Sequence, residues 1–153
     1  MNTWIAFALV IGTFWFMEFM AWFSHKYVMH GLMWHVHRDH HQGSQGFFER
    51  NDLFFLIFAV PSWLFIMFGM MAGNDWRLFV GLGILLYGFA YFLVHDVIIH
   101  QRFKWFRDWD NTYVRAIRRA HKMHHKHLNK EDGESFGMLI VHKRYWDMVR
   151  KKG

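Results

Sequence analysis

Cysteine is absent from the 153 residues, and proline occurs only once. Without thiolates the chain cannot form disulfides, zinc ribbons, iron–sulfur clusters or thiolate-ligated haem, so a bound metal needs nitrogen or oxygen ligands. A dinucleotide-binding fingerprint is also missing, because Gly81 and Gly83 lie inside an apolar segment with no βα unit after them. We therefore expect neither haem nor a bound flavin.

Charge is nearly absent from three long segments, residues 4–24, 53–72 and 78–94, in which Glu18 is the only ionisable residue of the Asp, Glu, Lys and Arg types. A bilayer core of ~30 Å requires about 20 apolar residues in a helix. The sequence therefore predicts one all-α integral-membrane domain over residues 1–153, with three to four transmembrane helices and membrane lipid as a partner.

Basic residues are distributed unevenly around these segments. Lys26, Arg38 and Arg50 lie between the first two, only Arg77 lies between the second and third, and all the others follow His100. Under the positive-inside rule the 25–52 loop and the tail face the cytoplasm, which predicts an inner-membrane protein. Because this placement explains the net charge of +6, we do not expect nucleic acid as a partner.

Histidine is abundant, with 13 residues, and most of it follows a repeated pattern. An H-x4-H pair and an H-x-x-H-H triplet occur in this order twice. Positions i, i+3 and i+4 share one face of a helix, so each triplet converges. A separation of five places two rings about 140° apart on a regular helix. Each pair therefore reaches one site only if the helix ends or bulges there, or else it bridges two metals. The candidates are His25, His30, His37, His40, His41, His95, His100, His121, His124 and His125.

Ten imidazoles are too many for one metal and suit two ions of four to six ligands; zinc, iron, copper and nickel all accept this donor. The pattern predicts a dinuclear site in a cytoplasmic histidine-rich helical cap. His35, His127 and His142 fall outside the pattern and are predicted not to be ligands.

Four acidic or apolar features accompany the histidines. Asp39 and Asp96 either orient imidazoles through their second nitrogen or are solvated charges. Glu18 lies seven residues before His25, about 10 Å along a helix, so we expect an orienting or packing role. Segment 136–149 is too short to span a bilayer and is predicted to lie along the interface.

Beyond the histidine pattern itself, six stretches are informative: HKYVMHG (25–31), HRDHH (37–41), ND (51–52), HDVIIHQR (95–102), RAHKMHH (119–125) and SFG (135–137). They resemble the membrane fatty-acid hydroxylase superfamily and, within it, the bacterial β-carotene 3-hydroxylases. The resemblance implies that the ten histidines bind two Fe²⁺ ions, with O2 as co-substrate and electrons from ferredoxin through its reductase. It implies hydroxylation of a carotenoid, β-carotene, at ring carbon 3, through β-cryptoxanthin to zeaxanthin. The family is often described with four spans.

Two alternatives stay open at this stage. A hydroxylase or desaturase of fatty acids or sterols uses the same histidine set, so ligand spacing does not separate the two. A non-enzymatic metal-binding membrane protein would place histidines or acids along a path through the spans, whereas here they gather at one end, apart from Glu18.

Overall fold

The computed structural model describes residues 1–42 and 46–151, and all regular structure within these ranges is helical. Three helical rods in these ranges are long and apolar enough to cross a membrane: Thr3–Leu32, Arg50–Met71 and Trp76–Ile99. The prediction of an all-α membrane protein is confirmed, and of the three to four predicted spans the described residues contain three. The first and third rods extend past the predicted segments, because each continues without a break into a histidine pair.

Six α-helices, two π-helical turns and one 3₁₀ turn make up the described chain. The π-helical turns extend the first and third rods, and the 3₁₀ turn leads into the second. In chain order the elements are α1 (Thr3–Phe23), a π turn (Ser24–Leu32), α2 (Trp34–Gln42), a 3₁₀ turn (Arg50–Asp52), α3 (Leu53–Met71), α4 (Trp76–Phe92), a π turn (Leu93–Ile99), α5 (Thr112–His124) and α6 (Lys143–Arg150).

Side-chain caps fix where several helices begin. Asn2 accepts a hydrogen bond from the amide of Trp4 at 2.8 Å, and Asp75 accepts one from Arg77 at 3.0 Å. Such caps satisfy amides that have no partner inside the helix. The tight connection between α3 and α4 uses Gly73 and Asn74, both with positive φ (78° and 63°). A short turn of this kind makes the two helices antiparallel neighbours.

Helix α4 lies between α1 and α3, and glycines allow the close approach. A Cβ added at Gly81 would lie 2.8 Å from the backbone nitrogen of Ile66 in α3. A Cβ at Gly83 would lie 2.8 Å from the carbonyl oxygen of Val10 in α1. Small residues at such contacts are typical of helix packing in membranes.

Gly81→Ala is expected to lower the stability of the helix bundle by about 1–3 kcal/mol, since backbone must move to admit the methyl group. Gly88→Ala is the matched control: it lies in the same helix and its Cβ would meet nothing within 4 Å. Removing a helical glycine there should leave stability unchanged or raise it slightly. The measurement is the unfolding midpoint in detergent, and equal midpoints for the two variants would refute the packing argument.

The histidine-bearing end of the rods is covered by α2, α5 and α6. Helix α5 packs against the π turn of Leu93–Ile99 and against α6. Buried Val94, Ile98, Val114, Ile117 and Met138 form one core of this cap. The predicted interfacial segment 136–149 divides into two parts: only Lys143–Arg150 is helical, with Tyr145 and Val149 buried against α5. The first part belongs to a non-helical stretch, residues 133–141, which is called the 133–141 segment below.

Candidate metal centre

All ten predicted histidines come together at one end of the rods, and nine of them form two groups. Within each group the nearest imidazole nitrogens lie within 4.8 Å of one another. The members of both groups are buried or nearly so. The first group is His25, His30, His37, His41 and His124, and the second is His40, His95, His100 and His121.

His125, the tenth histidine, lies between the two groups. Its Nε2 is 2.8 Å from Nε2 of His121 in the second group. Its ring stacks on that of His41 in the first group, with 4.3 Å between centroids. This position allows it to serve either group or to separate them.

The H-x4-H pairs reach their groups because each lies in, or at the end of, a π-helical turn. In the second pair the amide of His100 donates to the carbonyl of His95 at 2.9 Å, a bond between residues five apart. The ring centroids are then 4.5 Å apart, and those of His25 and His30 are 5.2 Å apart. Of the two explanations left open by the sequence, the helical bulge is confirmed, and neither pair bridges the groups.

The H-x-x-H-H triplets do converge, but each is divided between the groups. In α2, His37 and His41 belong to the first group and His40 to the second. In α5, His124 belongs to the first group and His121 to the second. The two helices thus cross over both groups, and each group receives side chains from both.

Three backbone carbonyls orient histidines of the first group. The Nδ1 of His25 is 3.0 Å from the oxygen of Phe136, that of His30 is 2.9 Å from Leu128, and that of His124 is 2.9 Å from Glu134. A carbonyl oxygen only accepts, so Nδ1 must carry the proton. The lone pair of Nε2 then points to the group's centre, as in metal-bound histidines.

Side chains give the same orientation to three further imidazoles. Nδ1 of His37 lies 2.6 Å from Oδ1 of Asn51, and Nδ1 of His40 lies 2.7 Å from Oε2 of Glu49. Asp96 lies beside His95, at a longer 3.4 Å. Of these three side chains, Asp96 alone is among the orienting candidates that the sequence suggests; the ND of residues 51–52 is the available signal for Asn51.

Asp39, the other acid next to a candidate ligand, does not orient an imidazole. Its carboxylate accepts the backbone amides of His40 and Arg50, each at 2.8 Å. It therefore joins α2 to the 3₁₀ turn that presents Asn51. The three histidines outside the pattern stay outside both groups; among them, His142 caps α6 by accepting the amide of Arg144 at 3.3 Å.

Burial keeps the cap histidines neutral, which is the form that binds metals. It lowers the pKa of His37 to about 3, that of His124 to about 2 and that of His125 to about 4. Repulsion between neighbouring imidazoles lowers these pKa values further. At neutral pH these three imidazoles are therefore uncharged donors that need not first lose protons.

Glu18 does not belong to either histidine group. Its Oε1 accepts the amides of Met138, Leu139 and Ile140 at 2.9, 2.8 and 3.0 Å. Its Oε2 accepts the hydroxyl of Tyr87 at 2.6 Å. The structure thus places Glu18 against the backbone of the 133–141 segment and outside both groups, and its expected orienting role stays a prediction.

The donor set fits iron. Both groups offer only imidazole nitrogens, a ligand type that iron shares with zinc, copper and nickel. Enough donors are present for two ions, and the carbonyls and side chains on Nδ1 supply the supporting hydrogen bonds of built metal sites.

The chain is similar in sequence to known hydroxylases. Residues 10–151 match the family model described as fatty acid hydroxylase. The chain is 41% identical to the β-carotene hydroxylase of Pantoea ananas, over 92% of this chain and 77% of the relative. Identity is 38% to the β-carotene hydroxylase of Pseudescherichia vulneris, over 83% of this chain and 72% of the relative.

Plant proteins are also similar. The chain is 37% identical to the chloroplastic β-carotene 3-hydroxylase of Gentiana lutea, over 88% of this chain but only 42% of the relative. No solved structure matches the chain significantly. The match over nearly the whole length and the histidine motifs at its centre show that the chain belongs to the fatty acid hydroxylase family.

Proposed function

We propose that this protein hydroxylates a carotenoid end ring at carbon 3 with O2, converting β-carotene through β-cryptoxanthin to zeaxanthin. Support comes from the bacterial and plant relatives, which are described as β-carotene hydroxylases. The observation that bears most weight is the pair of buried, imidazole-only groups at the end of apolar spans.

We assign all ten histidines as ligands of two Fe²⁺ ions, one at each group, with His125 between them. When bound, the iron pair supplies the O2 activation that breaking an unactivated ring C–H bond requires, since no side chain has that oxidising power. The protein's own residues hold six of the ten imidazoles as the Nδ1–H tautomer and exclude water. His37 and His124, for example, are 1% and 0% exposed.

The histidine end of the rods is proposed to face the cytoplasm from the inner membrane. Basic residues gather at this end, whereas the opposite turn carries only Arg77, which pairs with Asp75 at 2.6 Å. This asymmetry is the signal that the positive-inside rule uses.

An acidic electron donor such as ferredoxin is proposed to dock on α5. Arg115, Arg119 and Lys122 are all exposed, and their spacing of four and three residues puts them on one face of the helix. Lys126, also exposed, lies two residues past its end. The same helix carries His121 and His124 on its buried side. Electrons delivered to this face therefore enter within one helix diameter of the metal ligands.

The carotenoid ring is proposed to bind in a cleft of 480 Å³ between α1 and the 133–141 segment. Trp15, Phe19 and Trp22 line its membrane side and Phe136 its inner wall. The Phe136 ring also lies 5.2 Å from those of His30 and His124, between centroids. The cleft thus joins the lipid-facing surface of α1 to the first histidine group, and its size is typical of ligand sites.

Phe19→Ala is expected to slow conversion of sub-saturating β-carotene about tenfold, equivalent to ~1.4 kcal/mol of lost ring contact. Phe68→Ala is the matched control, because Phe68 is similarly exposed (46% against 53%) but lies on α3, away from the cleft. Initial rates in membranes would be compared at equal protein and iron content. Equal rates for both variants would show that the carotenoid ring binds outside this cleft.

Pigment chromatography tests the proposed reaction. Bacteria that make β-carotene would express the chain together with a ferredoxin and its reductase, and extracts would be compared with cells lacking the gene. New peaks matching β-cryptoxanthin and zeaxanthin are expected. Unchanged β-carotene, with the protein present in the membrane, would favour a fatty-acid or sterol oxygenase, and stable zinc without oxygen chemistry would favour a metal-binding protein.

A further inference from the structure

The carboxylate of Glu18 is buried in the middle of the first span, at the wall of the proposed ring cleft, and no step of the proposed reaction uses it. Glu18 is 5% exposed, and all four of its hydrogen-bond partners donate to it. A carboxylate inside a span is costly and usually has a function. Here it supplies the acceptor for three consecutive amides of the non-helical 133–141 segment, which have no helical or strand partner.

The close approach of Glu18 depends on Gly137. A Cβ at this position would lie 2.9 Å from Oε1 of Glu18, closer than such atoms approach in practice. The turn just before it is also specific, since Ser135 has a positive φ of 57°. The SFG stretch at 135–137 therefore has a physical reason: it turns the backbone so that one side meets Glu18 and the other meets the histidines.

The same segment orients two of the five histidines in the first group. The backbone carbonyl of Phe136 accepts a hydrogen bond from Nδ1 of His25, and that of Glu134 accepts one from Nδ1 of His124. The second group is oriented from elsewhere: His40 by Glu49, and His95 by Asp96. A loss of these carbonyl contacts would thus act directly on the orientation of two ligands in the first group, whereas the orienting hydrogen bonds of His40 and His95 come from outside the segment.

We propose that Glu18 is a positioning residue for the first metal site alone, acting through the 133–141 segment on His25 and His124. The proposal rests on the ligand assignment made above. It makes occupancy of the first site depend on a carboxylate that touches neither metal nor ligand, while the second site remains independent of it.

Cobalt(II) binding tests this without relying on catalysis. The full chain would be purified in detergent, stripped of metal and titrated with Co²⁺, which imidazole sites accept. Cobalt per chain and the ligand-field absorption would be recorded. We expect two ions for the natural sequence, one for Glu18→Leu, one for His100→Ala, and none when both changes are combined.

Conservative variants separate positioning from a general structural role. Glu18→Gln keeps an acceptor oxygen for the amides and should restore two cobalt ions, and Tyr87→Phe removes only one donor and should also bind two. Two ions with unchanged absorption in Glu18→Leu, or loss of both ions with helix content retained, would overturn the proposal. Fewer than two ions in the natural sequence would instead overturn the ligand assignment and, with it, this inference.

Gly137→Ala tests the positioning role of Glu18 if the Glu18→Leu variant fails to fold. Its methyl group pushes the segment away from Glu18 while leaving every polar group in place. Cobalt affinity of the first site is expected to fall roughly tenfold or more, in the range seen when orienting groups of ligands are disturbed. Unchanged affinity at both sites would contradict the proposal.

Discussion

Replacement of His40 with alanine is expected to reduce carotenoid hydroxylation to below about 1% of the natural level, because the second group loses one of its four imidazoles. The control is His35→Ala, which changes an exposed histidine of the same helix that belongs to neither group. The measurement is hydroxylated pigment per unit of membrane-inserted protein. His124→Ala should have the same effect through the first group.

Retained activity in His40→Ala would remove this residue from the ligand set. Loss of activity in His35→Ala to the same extent would show instead that α2 tolerates no change at all. Insertion should be normal in both variants, since the spans lie outside α2.

Asn51→Leu is expected to lower both iron affinity and activity about 10- to 100-fold. Asn51 is buried and lies 2.6 Å from Nδ1 of His37, so leucine leaves this imidazole without an acceptor and free to rotate. Asn51→Asp retains an acceptor oxygen and should recover much of the loss. Iron titration of the purified variants and pigment assays would be compared.

If Asn51→Leu bound iron as tightly as the natural protein, the orientation of His37 would have to come from packing alone. In that case its neighbours in the first group would be sufficient to fix the ring.

The spans and the histidine cluster could be predicted from sequence because each rests on a short-range pattern. Runs such as 53–72 contain no charge at all, and a bilayer admits few other structures. The spacing of His37, His40 and His41 specifies one helix face wherever that helix lies. The H-x4-H spacing allowed a helix end, a bulge or a pair that bridges two metals, and π-helical turns occur at both pairs.

The division of the triplets between two groups could not be predicted in this way. Periodicity gives a shared face, but the partner of each side chain depends on how α2 and α5 cross over the rods. His40 meets His95 at 3.2 Å, a contact between residues 55 apart in sequence. Such long-range pairings are set by tertiary packing.

Backbone acceptors also escape prediction from residue types. The carbonyls of Leu128, Glu134 and Phe136 orient three imidazoles, and any residue could supply a carbonyl. The partners of Glu18 are backbone amides for the same reason. The sequence indicated that this carboxylate needed partners, but only the path of the 133–141 segment identifies them.

The most direct test of the two-group site is the iron content of purified protein that still converts β-carotene. Metal analysis of such preparations is predicted to give two iron ions per chain, falling to one when His30 in the first group or His100 in the second is replaced with alanine. A single iron per chain in fully active protein would contradict the account, because the two groups would then not be two metal sites.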